Sequence, residues 1–247
     1  MQNYTNRNSQ NPYASPYSVA AQSVDVRAEF IRKTYMHLAG AIAVFAVLEW
    51  VFFQIPIMLK LAASMTGGYN WLIVMGAFIG VSMLANKWAV SNTSRPKQYL
   101  GLGIYIIAMA IMTLPLLLLA ELMGSAVTGT NIIFNAAIIT AAMVAGITFI
   151  AFTTRKDFSF LGGFVKMGLF IAFGAIILSI LFGFTLGIVF FAVMIIIASA
   201  SILYETSNII HHYNTNQYVA ASLGLFASVI LLFWYVLQML LSLANSD

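Results

Sequence analysis

Residues 201–222, SILYETSNIIHHYNTNQYVAAS, put an acid, two histidines and several amides between two long apolar runs. If one helix continues through them, Ser201, Glu205, Asn208 and His212 recur at i, i+4, i+7 and i+11 and make a single polar stripe. Such a stripe can line a vestibule at a membrane edge, where its carboxyl group can carry protons or hold a cation. The same residues at a helix end that reaches interfacial water would only satisfy the last carbonyls. Residue types alone leave both readings open.

Glu49, in FAVLEWVFF, is the other acid set in an apolar run. An acid there costs about 2–3 kcal/mol at the bilayer centre and less near its edge. It can face other helices as an ion or proton site, or it can be protonated or reach the outer surface beside Trp50. Metal chemistry is not expected, because the chain has no cysteine and its only histidines are His37, His211 and His212. Neighbouring histidines on a helix point about 100° apart, which leaves zinc without a ligand set. No HExxH, P-loop or nucleophile elbow is present, so neither an enzyme nor a cofactor is expected.

The elements that hold these residues follow from composition. Of 247 residues, 62% are hydrophobic and 7% charged, against roughly a quarter charged in soluble domains. Seven apolar segments can be cut, at about 35–54, 71–87, 99–120, 131–152, 160–181, 184–204 and 217–243. Each is close to the roughly 20 residues that cross a bilayer. They must be helices, since lipid offers the backbone no hydrogen bonds. Residues 1–27 are rich in Asn, Gln, Ser, Tyr and Pro, with no apolar stretch of signal-peptide length. They are expected to be a disordered tail preceding a membrane domain over 28–247.

Basic residues set the orientation. Arg7, Arg27, Arg32, Lys33, Lys87, Arg95, Lys97, Arg155, Lys156 and Lys166 fall on alternate sides of the seven spans, leaving Lys60 alone opposite. The amino terminus is therefore expected in the cytoplasm and the carboxyl terminus outside. Cations dispersed along membrane edges make no nucleic-acid patch. Asp157, just after Arg155 and Lys156, is expected to cap the fifth span or pair with one of those cations. Small residues recur at Ala220, Gly224 and Ser228 in the last span, and at Gly168, Ala172, Ala175 and Ser179 in the fifth. Such stripes let helices approach closely, and they predict that the fifth and seventh spans are central.

The stretches TFIAFTTRKDFSFLGGFV (148–165) and ASILYETSNIIHHYNTNQYVAASLGLFASVILLF (200–233) resemble the Bax inhibitor, or transmembrane Bax inhibitor motif, family. Within it they are most similar to the proteobacterial YccA-like branch. With IRKTYMHLAGAIAVFA (31–46) and ANKWAVSNTSRPKQYLGLGIY (85–105), the resemblance covers about residues 28–243. It implies an all-α integral membrane protein of seven transmembrane helices, with the last helix central and wrapped by the other six.

The resemblance also implies two roles. Some relatives are described as pH-sensitive calcium leak channels, in which two acids share a proton near the cytoplasmic mouth. The first position falls on Glu205. The second falls on Ser228, where a family LYLDFINLF supplies Asp. A lone carboxyl cannot form a shared-proton pair, which leaves Ser228 as a hydrogen-bonding pin for Glu205. Members of the YccA-like branch are associated with FtsH, a membrane-anchored AAA protease whose action they modulate. The resemblance therefore implies a non-enzymatic protein of the bacterial inner membrane, its carboxyl terminus periplasmic, contacting an FtsH-type protease laterally in the bilayer. The alternative is a leak of Ca2+, another cation or H+ that uses Glu205, with Asn208 and His212 as neighbours.

Overall fold

Each apolar run is folded as one helix of 20 to 30 residues, so that its backbone polar groups are paired along its own axis. The computed structural model describes residues 18–66, 69–90, 94–124, 131–154 and 156–245. In chain order the helices are α1 (Val24–Phe53), α2 (Pro56–Met65), α3 (Asn70–Ala89), α4 (Arg95–Met123), α5 (Ile132–Thr154), α6 (Leu161–Phe182), α7 (Ile188–His211) and α8 (Tyr218–Ala244). All but α2 are long and apolar enough to cross a membrane. The protein is an all-α multi-pass membrane protein.

Three boundaries differ from the sequence reading. Helix α1 starts at Val24 and is preceded by a 3-10 turn at Val19–Ala21. The packed chain therefore begins inside the segment read as a tail over 1–27, and residues 1–17 of that segment lie outside the described residues. Val19 explains the difference, being fully buried in the main core. Helix α7 runs on to His211, past the expected end at 204, because its last turns exchange lipid for polar partners. The break after the first span holds the extra helix α2, with Pro56 at its first position, where a missing N–H costs nothing. At ten residues it rises about 15 Å, half of a bilayer core.

Helix α8 is the axis. Of its most apolar 18-residue stretch 78% is buried, against 50% for α4 and 11–28% for the other five spans. It packs on α1, α3, α4, α5 and α7. Helix α6 rests mainly on α7, and a small cluster of Ala172, Met194, Ile197 and Tyr235 links it to α8. The expectation that the fifth span is central is corrected: α6 is the least buried span at 11%. Its small-residue stripe serves mainly one neighbour, α7. A Cβ at Gly168 would lie 2.9 Å from Ile197 of α7, while Phe164, Met167, Phe170 and Ile171 face outward. A stripe of small residues specifies one close approach and does not surround a helix.

Candidate functional site

The stripe on α7 is continuous, and the packing of α8 divides it in two. Ser201 and Glu205 turn toward α8. Ser201 Oγ and Ser228 Oγ are 2.8 Å apart, and the Ser228 hydroxyl also lies 3.1 Å from the Gly224 carbonyl one turn back. The bond expected between Ser228 and Glu205 is not formed, because Ser201, one turn along α7, stands opposite Ser228. Glu205 lies instead against Gly224, where a Cβ would come 2.9 Å from Oε2. The stripe read as general packing is thus a specific seat, in which a residue without a side chain admits a carboxyl group between two helices. Tyr213 donates its phenol to Glu205 Oε2 at 3.2 Å, and Asn208 is the carboxyl's other polar neighbour.

Asn208 and His212, the outer half of the stripe, line an open pocket of about 440 Å³ together with Ser159, Tyr204, Tyr213 and Gln217. Tyr213 stands between this pocket and Glu205, bonded to one and lining the other. Its backbone is clamped in turn: the Tyr213 carbonyl accepts the Val19 N–H at 2.9 Å, and Ser18 bridges to Asn214. The residues just before α1 therefore hold the lid of the Glu205 seat. Beside them Arg95 of α4 donates to the Tyr218 hydroxyl and stacks on its ring, and His37 of α1 meets both Tyr99 and Tyr218. These contacts fix the start of α8.

Asp157 pairs with His212 rather than with Lys156, and Arg155, the other expected partner, lies outside the described residues. His212 Nε2 is 3.0 Å from Oδ2, while Oδ1 accepts the Ser159 N–H at 2.9 Å. The segment between α5 and α6 is thereby stapled to the end of α7, and the Phe158 N–H adds a bond to Ser207 Oγ. Burial pushes the Asp157 carboxyl up, but the Ser159 N–H and His212 outweigh it and hold it down at about 2. A lowered folded-state value stabilises above the unfolded value of about 3.9, and the contribution is lost as pH falls toward 2. In Asp157→Asn the fall in melting temperature between pH 4 and pH 2 should be shallower than in the parent. At neutral pH the change should stay within about 1 kcal/mol, since both partners are more than 40% exposed. An unchanged acid slope would remove the staple from the account.

Glu49, near the far end of α1, is not at this site. Its carboxyl turns into the bundle, leaving the residue 6% exposed, while Trp50 beside it is 66% exposed. The sequence reading missed Tyr213, Gly224, Val19 and the Asp157–His212 pair. Gly224 and Glu205 lay in quoted patterns, but nothing in their spacing says that one seats the other.

The family model for the inhibitor of apoptosis-promoting Bax1 matches residues 27–246. LIFEGUARD 4 of Arabidopsis thaliana is 30% identical over 232 residues, covering 89% of this chain and 87% of that protein. Bax inhibitor 1 of Schizosaccharomyces pombe is 27% identical over 93% of this chain and 82% of its own length. The modulator of FtsH protease YccA of Escherichia coli is 40% identical over 89 residues, 36% of this chain and 40% of that protein. A match running from the first turn of α1 to the end of α8 takes in every span, the Glu205 seat and its lid, and on that ground this chain belongs to the Bax inhibitor family.

Proposed function

We propose that this protein is a non-enzymatic modulator of a membrane-anchored FtsH-type protease, acting through lateral contact in the bacterial inner membrane. In this reading the amino terminus is cytoplasmic and the carboxyl terminus periplasmic. One observation carries it: α7 and α8 hold a single acid, Glu205, and the place where a second would stand is Ser228, already bonded to Ser201. A shared-proton latch needs two like charges held close together. Here the junction is closed by neutral hydroxyls. The similarity to the Escherichia coli modulator supports the same choice.

In this reading residues 1–17, rich in Asn, Gln, Tyr and Pro, are the handle that an ATP-driven unfoldase grips. Deleting residues 2–16 leaves Ser18 and Val19 in their seats, and it should weaken co-purification with FtsH in mild detergent and slow this protein's turnover. Unchanged association and turnover would sink the handle. Failure of the full chain to retain FtsH beyond an unrelated seven-span control would sink the modulator reading itself.

A second reading, a cation or proton leak, has one specific feature in its favour. Both polar neighbours of Glu205, Tyr213 and Asn208, line an open pocket. Calcium-loaded liposomes carrying the purified protein should leak no faster than empty vesicles. A flux that disappears in Glu205→Gln would make the leak the leading function.

A further inference from the structure

Helices α1 and α5 both pack on α8 without packing closely on each other. Between them runs a cleft of about 560 Å³, floored by Val229, Ile230 and Phe233 of α8. Ligand sites commonly have this size and are apolar with a few placed polar groups. The cleft extends along α1 from Tyr35 to Glu49, fourteen residues or about 21 Å of helix. That exceeds the roughly 15 Å of hydrocarbon in one leaflet. It is open on its flank, because its wall there is made of Ala46, Ala137, Ala141 and Ala145, all exposed. Something entering from lipid need not pass through the bundle.

The one carboxyl group in its lining is that of Glu49, at one end. Both carboxyl oxygens of Glu49 are buried and have no hydrogen-bond partner among the described residues, and the same holds for Thr140 Oγ1 in the cleft wall. A carboxyl group removed from water without a partner is a large uncompensated cost. Such a group is retained where a donor from outside completes it. A cation is the strongest such donor, because a charge-assisted bond in an apolar setting is about twice as strong as a neutral one. The ion pairs found among the described residues, Glu29–Lys33 and Asp157–His212, involve neither Glu49 nor any other residue of the cleft. Tyr35 and Thr148 lie near each other at the opposite end, and between the two ends the lining is apolar apart from Thr140.

We propose that the α1–α5 cleft binds a bilayer-borne amphiphile whose single primary ammonium head pairs with Glu49 and whose alkyl chain lies along α8. The site is independent of the Glu205 seat and of the protease reading. Small metal cations do not suit it, since one carboxyl and one hydroxyl leave most of a cation's oxygen ligands unfilled.

The test is native mass spectrometry of the full chain released from nanodiscs, with hexadecylamine, hexadecanol and hexadecanoic acid as matched probes. The amine should be retained at least about tenfold better than the alcohol, the worth of one charge-assisted hydrogen bond. Glu49→Gln, which keeps the shape, should remove that preference and leave alcohol retention unchanged. Ala141→Trp, which fills the cleft, should reduce both, and the melting temperature of each variant establishes that it is folded. Equal retention of amine and alcohol, preference for the acid, an amine preference that survives Glu49→Gln, or undiminished retention in Ala141→Trp would overturn the proposal.

Discussion

Phe226→Ala is expected to be among the most destabilising single changes in this protein, lowering unfolding free energy by about 2 kcal/mol or more. Phe226 is fully buried in α8 and meets Phe45 of α1 and Tyr105 of α4 edge-on, with ring centroids 6.0 and 6.2 Å away. In soluble cores Phe→Ala costs about 3–5 kcal/mol, made of a water-transfer part and a cavity part. In a bilayer the transfer part shrinks, because lipid is as apolar as the core. The cavity part and the lost dispersion contacts remain. Phe170 on α6 is the matched control, as 78% of it is exposed. Its replacement by Ala should stay within about 0.5 kcal/mol. Thermal or SDS-induced unfolding of the two variants in the same detergent reads the difference directly. Equal effects would mean that α8 is not the axis of the bundle.

Gly101→Ala should be comparably damaging although it adds a single methyl group. At Gly101 a Cβ would lie 2.6 Å from the Ala85 carbonyl oxygen and 2.8 Å from the Ala89 nitrogen of α3. Both are backbone atoms, which cannot rotate away as a side-chain tip can, so α3 and α4 must separate along their contact. Overpacking of this kind typically costs about 1–3 kcal/mol and occasionally more. Gly103, two residues on, has nothing within 4 Å of such a Cβ. Gly103→Ala should therefore be neutral or gain up to about 1 kcal/mol from helix propensity. The comparison separates close approach from any general intolerance of α4. If Gly101→Ala melts with the parent protein, the α3–α4 contact is looser than described here.

How much of this was legible beforehand depends on the range of the interaction. The seven spans were legible because each is a local property, a run of apolar residues whose length the bilayer fixes. Helix α2 was not, since ten residues that open on Pro56 and include Lys60 and Ser64 also read as a break. The extension of α7 to His211 followed from its 3.6-residue stripe only if a helix was assumed to continue. What fixed the start of the packed chain was Val19 bonding to Tyr213, 194 residues away in sequence. No periodicity encodes such a pair.

The site divides along the same line. The residue types of Glu205, Asn208, His212, Ser228 and Glu49 marked them in the sequence, because polar groups in apolar runs are costly and therefore conspicuous. Their partners were decided only by how the helices meet. Ser228 faces Ser201 rather than Glu205 because α7 and α8 cross one turn out of the register that the family pattern implied. Glu205 finds its room at Gly224, where the missing Cβ makes a seat. Asp157 reaches His212 rather than the adjacent Lys156 because residues 157 and 158 lie against the end of α7. Glu49 turns inward, beside a cleft that exists because α1 and α5 each pack on α8 and leave space between them. Sequence alone determined which segments enter the bilayer and which residues are conspicuous there, since both depend on local polarity. Tertiary structure alone decided which of those residues meet, since that depends on helix register and on the absence of a side chain at single glycines.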